Sequence, residues 1–502
     1  MIPLTLAEVA AAVDGRLVAA DPDARVTGTV EYDSRKVTAG GLFVAFPGER
    51  VDGHHYAAAA VAAGAVAVLG TRQVAGVPMV LVADGLTAMA ALARAVLARL
   101  PEVTVIGLTG SSGKTTTKDL IGQLVGRLGP TVAPAGSPNN ELGHPWTVLR
   151  ADENTRYLVL EKGARGPGHI RFLCGIARPR IAVEINVGVA HIGEFGSREG
   201  IAAAKGELVE ALPPDGLAVL NADDPLVRAM ADRTTARVVL AGEAADAQVR
   251  AVDVRPDARG RYSYTLVTPE GRVPVRLGLT GAHQVGNSLL AAAVARELGM
   301  PLPDLGAALG ELGLRSTRRM DVFDRPDGVT VIDDSYNANP ASTGAALRAL
   351  AGLGDGRRTV AVLGYMAELG PYERDGHAEV GRLAAELNID RLLVVAEAAA
   401  PIHEAARSVG TWGGTSVLVT DQAAAVEELR RELRPGDAVL VKGSRYRTWE
   451  VADALRPGAA DGVPPAAPTG PADGSSATGS GATGGGAGAV ADETIPTEGE
   501  PA

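Results

Sequence analysis

The stretch VTVIGLTGSSGKTTTKDLIGQLVGRLG, residues 103–129, decides how the chain is read. Its first half is a continuous apolar run of strand length, and its second half spaces apolar residues as a helix does. Between them lies a glycine-rich turn. Backbone N–H groups of such a turn at a helix N-terminus cradle phosphate oxygens, Lys114 can neutralise phosphate charge, and the Thr115 hydroxyl can ligate Mg²⁺. Leu108 stands where the first glycine of the usual P-loop spacing falls. A chemically silent turn is the alternative, and a Lys and a Thr in register argue against it.

Working outward, strands alternate with helices from Val103 to about Leu314. YLVLEKGA, IAVEINVG and LAVLNADD read as strands, and KTTTKDLIGQLVGRLG and REGIAAAKGELVEAL as helices. This alternation predicts a mostly parallel, doubly wound sheet with right-handed crossovers. A second block, Val329 to about Leu455, repeats the pattern with VTVIDDS, TVAVLGY, RLLVVAE, SVLVTD and AVLVKGS, and predicts a smaller Rossmann-like domain. The first hundred residues mix short strands such as GLFVAFPG with Ala-rich helices and end in a helical segment, 86–100, before Pro101. The expected fold is therefore α/β with domains at 1–100, 101–315 and 316–456. A disordered tail is expected at 457–502, where Gly, Ala, Pro and Ser leave too little apolar surface to offset chain entropy.

Composition narrows the class further. With 502 residues, 46% hydrophobic and 21% charged, the chain reads as globular. A net charge of −11 argues against nucleic-acid binding, which needs a basic face. The single cysteine, Cys174, excludes an internal disulfide and a multi-cysteine metal site, and fits a reducing compartment. The N-terminal MIPLTLAEVAAAVDG lacks a basic segment and carries Glu8 and Asp14, unlike a secretory signal. The Ala-rich uncharged run Tyr56 to Gly70 is shorter than the ~18 residues of a membrane span. The chain is thus expected to be cytoplasmic, without membrane insertion.

Lysine occurs only at 36, 114, 118, 162, 205 and 442, a weak sign that some of these positions need an amine. Glu161 closes the strand after the glycine-rich turn, at the edge where a doubly wound sheet places its ligands. His191 follows the next strand and can bind a metal or a phosphate. Lys205 lies in an Ala-rich helix, and a desolvated lysine is nucleophilic toward carbon dioxide; the carbamate formed is an anionic oxygen ligand for a second Mg²⁺. From these residues alone, a solvated carboxylate, a structural histidine and a surface lysine remain open.

The motifs TGSSGKTT, PNNELG, GARGPGH, NVGVAHIGEFGS, AKGEL, DDSYNANP and VKGSR occur in the order and spacing of the Mur ligases. Over about residues 30 to 455 the chain resembles that family, most closely the members that join D-alanyl-D-alanine to a UDP-N-acetylmuramoyl-tripeptide. The resemblance implies that Gly110, Ser111, Ser112, Gly113, Lys114, Thr115 and Thr116 hold ATP phosphates. It implies that Thr115 and Glu161 hold one Mg²⁺ and that His191 and a carbamylated Lys205 serve a second, with Lys114, His191 and Lys205 taking part in catalysis. His283 and Asn287 match positions beside the adenine, and Arg319 and Asp334 match residues brought to the nucleotide on closure. Ser34, Arg35, Gly53 and His54 match the region receiving the UDP-sugar, and Asn139, Asn140 and Glu141 a loop near the phosphates and the acceptor. Asn337, Asn339 and Lys442 match positions facing the incoming peptide. The implied partners are UDP-MurNAc-tripeptide and D-Ala-D-Ala, the implied chemistry is an acyl phosphate attacked by an amine, and the expected working form is a monomer.

Five positions depart from the family's usual residues: Tyr365 in GYMAELG, Arg318 before Arg319, Lys162 after Glu161, Ser137-Pro138 before the PNNELG asparagines, and Glu184 within an apolar strand. They leave open a relative with another acceptor, such as D-Ala-D-lactate or a secondary-metabolite amine, or a nucleotide-binding remnant without ligase activity. On strand geometry Lys162 should point away from Glu161. SRKVTAGGLFVAFPG and VDGHHY resemble a UDP-sugar-binding domain and argue against a folylpolyglutamate synthase-like ligase.

Overall fold

The computed structural model describes residues 1–48, 51–188, 192–354, 356–444 and 446–458. Among them the strands form sheets of nine, six, five and two. The nine-stranded sheet is parallel through Thr131–Val132, Tyr157–Glu161, Thr104–Thr109, Ile181–Glu184, Leu217–Asn221, Arg237–Gly242 and Val249–Pro256. These central strands are Val-, Ile- and Leu-rich because helices cover both faces. Ile106 and Leu108 pack with Leu120, Leu124, Leu289 and Leu290 of helices Lys114–Val125 and His283–Glu297. Ala182 and Leu220 of the opposite face pack with Ile170, Ile201 and Leu208.

Two features differ from the alternation expected of the sequence. Arg261–Thr268 and Gly271–Thr280 extend the sheet as antiparallel strands. Their buried and exposed residues alternate, the signature of strands covered on one face, which strand–helix alternation does not anticipate. The segment 198–212 is also two helices, Arg198–Lys205 and Glu207–Glu210, meeting at Gly206.

The six-stranded sheet runs Asp321–Asp324, Thr330–Asp333, Ala438–Lys442, Thr359–Leu363, Arg391–Val395 and Thr415–Val419, parallel except for its first pair. It contains all five strands read from the second block. The five-stranded sheet lies within residues 16–81 and is followed by the helix Gly85–Ala98, whose first turn Asp84 caps through Thr87 N.

The helix after the glycine-rich turn also carries the connection to the six-stranded sheet. Gln123 Nε2 donates to Gly313 O at 2.8 Å, and Asp119 Oδ2 accepts from Ser316 N at 2.9 Å. Lys118, buried beside Asp119 at 2.8 Å, donates to Gly136 O, whose residue in turn donates its N–H to Ser316 Oγ. Among the described residues no helix is long and apolar enough to cross a membrane. The tail expected at 457–502 lies outside the described residues from position 459 onward.

Candidate active site

The carboxyl ends of Thr104–Thr109, Tyr157–Glu161 and Ile181–Glu184 are neighbours in the central sheet, so the residues after each strand meet at one edge. Gly113 sits at φ +79°, and a Cβ there would lie 2.9 Å from Asn287 Oδ1; only glycine lets Asn287 come this close. Asn186 braces the turn. Its carbonyl accepts from Ser111 N and its Oδ1 from Ser112 N, both at 3.0 Å, while Ser111 Oγ accepts from Gly188 N at 2.9 Å. The phosphate-type loop is thereby bolted to the segment leading toward His191. His191 itself lies outside the described residues.

Lys114 folds back to donate to Gly110 O at 2.8 Å, and burial lowers its pKa while Glu161 opposes the shift. Glu161 Oε2 accepts from Ser137 Oγ at 2.6 Å and from Thr115 Oγ1 at 3.4 Å. Glu161 Oε1 is buried without a hydrogen-bond partner. The serine that departs from the family's usual residue thus secures this carboxylate. An orphaned carboxylate oxygen beside a threonine hydroxyl suits a hard cation. No group of three or more His, Cys, Asp or Glu able to hold a metal occurs among the described residues. Glu161 and Thr115 would supply the one or two protein ligands that a Mg²⁺ ion takes beside phosphate oxygens and water.

Lys205 ends the helix Arg198–Lys205 and is buried. Burial lowers its pKa, the charge of Lys114 lowers it further, and Glu184 opposes the shift. Burial raises the pKa of Glu184, with Lys205 acting against it. Both Glu184 oxygens and the hydroxyl of Thr109, its cross-strand neighbour, are buried without partners.

From the C-terminal side, Arg319 reaches Thr115 Oγ1 at 3.2 Å and lies 4.0 Å from the ring centroid of Tyr336. Asp334 accepts from Met320 N at 3.1 Å and pairs with buried Lys442, which also donates to Asn337 O at 2.9 Å. His283 lies within electrostatic reach of Asp334 and Lys442, and burial lowers its pKa. The amine of Lys442 is thus committed to its own domain.

The chain matches the Mur ligase middle domain over residues 108–295, the Mur ligase glutamate ligase domain over 318–445 and the Mur ligase catalytic domain over 27–97. The UDP-N-acetylmuramoyl-tripeptide–D-alanyl-D-alanine ligase of Mycobacterium leprae is 48% identical, across 88% of this chain and 96% of its own. The chain belongs to the Mur ligase family. The Escherichia coli ligase of the same name is 35% identical, across 90% of this chain and 97% of its own. The MurF crystal structure from Acinetobacter baumannii matches with a TM-score of 0.80 and 31% identity, over 90% of this chain and 98% of that one. MurF from Thermotoga maritima in complex with ADP matches with a TM-score of 0.73 and 30% identity, over 85% and 96%.

In this Mur ligase the remaining expected residues divide by what their side chains already hold. Asn140 Oδ1 accepts from Gly143 N at 2.8 Å, Asn139 Nδ2 donates to Ser137 Oγ at 2.9 Å, and Glu141 is exposed. Asn339 caps the helix Pro340–Leu353 in a capping box with Ser342, whereas Asn337 stays exposed. In the first domain, Ser34 and Arg35 lie on an accessible turn where Arg35 pairs with Asp33 at 2.8 Å. Beside Gly53, buried His54 contacts Asp52 Oδ1 through Nδ1 at 2.6 Å and accepts Thr71 N through Nε2 at 3.0 Å. Both ring nitrogens of His54 are therefore engaged within the domain.

The departures are equally informative. Lys162 turns away from Glu161, as strand geometry predicts, and its buried amine bonds His144 Nε2 and the carbonyls of Leu173 and Ala177 at 3.1–3.2 Å. Tyr365 donates to Glu373 Oε2 at 2.6 Å and stacks on His377 at 5.2 Å. Sequence reasoning missed Asn186, Ser137 and Tyr336 as supports of the site. Each lies in or beside a quoted motif, but nothing local shows which distant group it braces.

Proposed function

We propose that this Mur ligase joins D-alanyl-D-alanine to UDP-N-acetylmuramoyl-tripeptide, converting ATP to ADP and phosphate and giving the UDP-MurNAc-pentapeptide of peptidoglycan synthesis. The observation that carries the reading is the Thr115–Glu161 pair with its unpartnered oxygen beside Lys114. Relatives that bear this activity in their names, at 48% and 35% identity over nearly the whole chain, support it. The ADP-bound Thermotoga maritima MurF supports ATP as the nucleotide.

On this reading the N–H groups of 110–116 and the Lys114 amine hold the triphosphate, with Asn287 and His283 toward the adenine. Thr115 and Glu161 would hold one Mg²⁺, and His191 and a Lys205 carbamate, formed from carbon dioxide with loss of a proton, a second. When bound, the cations supply charge neutralisation during phosphoryl transfer. The tripeptide's terminal carboxylate oxygen takes the γ-phosphoryl group and ADP leaves. The dipeptide amine then attacks the acyl carbon, gives up a proton, and the tetrahedral adduct expels phosphate. Arg319 stabilises developing phosphate charge, and closure of the C-terminal domain over the site excludes the water that would hydrolyse the acyl phosphate. Ser34, Arg35, Gly53 and His54 would line the approach of the UDP-sugar, with His54 contributing shape rather than a free ring nitrogen. Asn139, Asn140, Glu141, Asn337, Asn339 and Lys442 would frame the acceptor, and Asp334 the nucleotide. The enzyme would work in the cytoplasm as a monomer, with domains at 1–100, 101–315 and 316–456.

Tyr365 is held by Glu373 and His377, so its departure is absorbed within the C-terminal domain and gives no ground for a different acceptor. The test is phosphate release from ATP with UDP-MurNAc-tripeptide and, in parallel, D-Ala-D-Ala, D-Ala-D-lactate or no acceptor. Release should require D-Ala-D-Ala and be lost in Lys205→Ala. Equal release with D-Ala-D-lactate, or none with either acceptor, would reject the proposal.

A further inference from the structure

Residues 316–320 link the P-loop helix to the six-stranded sheet, and their backbone is unusual. Arg318 and Met320 sit at φ +61° and +56°, the left-handed region that disfavours any residue with a Cβ. They flank Arg319, which reaches Thr115 Oγ1 at 3.2 Å. Glycine would occupy position 318 without strain. An arginine there therefore calls for a gain made by its side chain.

That side chain is engaged with the last helix, Trp449–Leu455. Arg318 Nη2 donates to both carboxylate oxygens of Asp453, at 2.9 and 3.2 Å, and the guanidinium carbon lies 5.5 Å from the Trp449 ring centroid. The side chains of Arg318 and Asp453 are only 13% and 18% exposed, so solvent screens the pair less than a surface ion pair. Two backbone bonds complete the turn: Arg318 O accepts from Tyr336 N at 3.2 Å, and Met320 N donates to Asp334 Oδ1 at 3.1 Å. The same Tyr336 carries the Arg319 guanidinium on its ring. The last helix, the strained turn and the aim of Arg319 form one connected unit.

We propose that Arg318 is a positioning residue: its charge pair with Asp453 pins the 318–320 turn to the last helix and so aims Arg319 at the P-loop hydroxyl. This rests on the reading of Arg319 as a nucleotide residue given above. The pair acts on the rate of phosphoryl transfer more than on nucleotide affinity, because a misaimed Arg319 fails chiefly where charge develops.

The experiment compares Arg318→Gly, which accepts the φ and deletes the guanidinium, with Asp453→Asn, which keeps the shape and deletes the charge. Arg318→Lys, the double variant and Arg319→Ala complete the set, with kcat, KM for ATP and Tm measured on the full chain. Each of the first two should lower kcat about tenfold with KM for ATP changed less than about twofold, and the double variant should be no worse than the worse single. Arg318→Lys should recover part of the rate. A merely structural pair would lower Tm and leave kcat in place, which would overturn the inference. If both singles turn over normally while Arg319→Ala is inactive, the inference fails and the site reading survives. If Arg319→Ala itself turns over normally, the reading of Arg319 fails and takes the inference with it.

Discussion

The carboxyl edges of the nine-stranded and six-stranded sheets both collect buried charged groups, but they leave them in opposite states. At the first, Glu161 Oε1, both Glu184 oxygens and Thr109 Oγ1 have no hydrogen-bond partner. At the second, Asp334 is held by Lys442 and Met320 N, Asp333 by Ser335 and Arg456, and Asn339 by its capping box. An unsatisfied buried polar group costs about 1–3 kcal/mol. An edge that keeps several is one that a ligand completes, and an edge that satisfies all of these is a support. The difference teaches that, within one chain, open hydrogen-bonding capacity locates chemistry better than the presence of charge does.

The sharpest way to break this comparison is to remove an amine from each edge. Lys114→Ala should lower turnover by about 10²–10³-fold with a smaller effect on Tm, since the amine gives up a bond to Gly110 O and its attraction to Glu161, while Glu161 keeps the hydroxyls of Ser137 and Thr115. Comparable rates for variant and wild type in the phosphate-release assay would show that the open edge is not the reacting one. Lys442→Met should act first on stability. It strands the Asp334 carboxylate and should cost about 3 kcal/mol of stability in denaturant unfolding. A Lys442→Met as stable as wild type would show that the amine does not hold Asp334, and that the second edge is no support.

Lys162 sharpens the contrast within the first edge, because it adjoins Glu161 yet is fully paired. Burial lowers its pKa to about 8 from an ordinary 10.5. Between those values the unfolded chain binds the extra proton, so wild-type stability should rise with pH relative to Lys162→Met, by about 2 kcal/mol from pH 8 to pH 10. Below pH 8 the difference should be flat. Parallel denaturant curves at pH 7, 8 and 10 measure it, and a difference that does not change with pH would show an amine with an ordinary pKa. The smallest effect is expected at Asn339→Ala, which removes a helix cap and should cost about 1 kcal/mol with kcat retained. A large fall in kcat would show that the Asn339 side chain acts on the reacting groups directly and does not merely shape the acceptor site through its cap.

Much of this was legible in the sequence. Apolar runs bounded by turn residues located four of the seven strands in the parallel part of the nine-stranded sheet and all five parallel strands of the six-stranded sheet, and placed the Gly-rich turn with Lys114 and Thr115 between a strand and a helix. Strand alternation alone sent Lys162 away from Glu161. Other parts were not legible, for identifiable reasons. The antiparallel strands Arg261–Thr268 and Gly271–Thr280 hide their pattern among exposed arginines and turn residues, because only one of their faces is buried. His54 reads as a polar ligand until Asp52 and Thr71 are seen on its two nitrogens. Arg318 reads as a misplaced residue until its φ and Asp453, 135 positions away, are known.

The sequence by itself determined the family, the strand–helix alternation around the glycine-rich turn and in the second block, and the residue types at that edge. These depend on local periodicity and on short motifs, which neighbouring residues specify. Only the tertiary structure decided which polar groups are satisfied: that Glu161 keeps an open oxygen, that Lys442 is closed by Asp334, and that Arg318 is held by the last helix. Satisfaction depends on partners far apart in the chain, brought within about 3 Å by the packing of separate sheets.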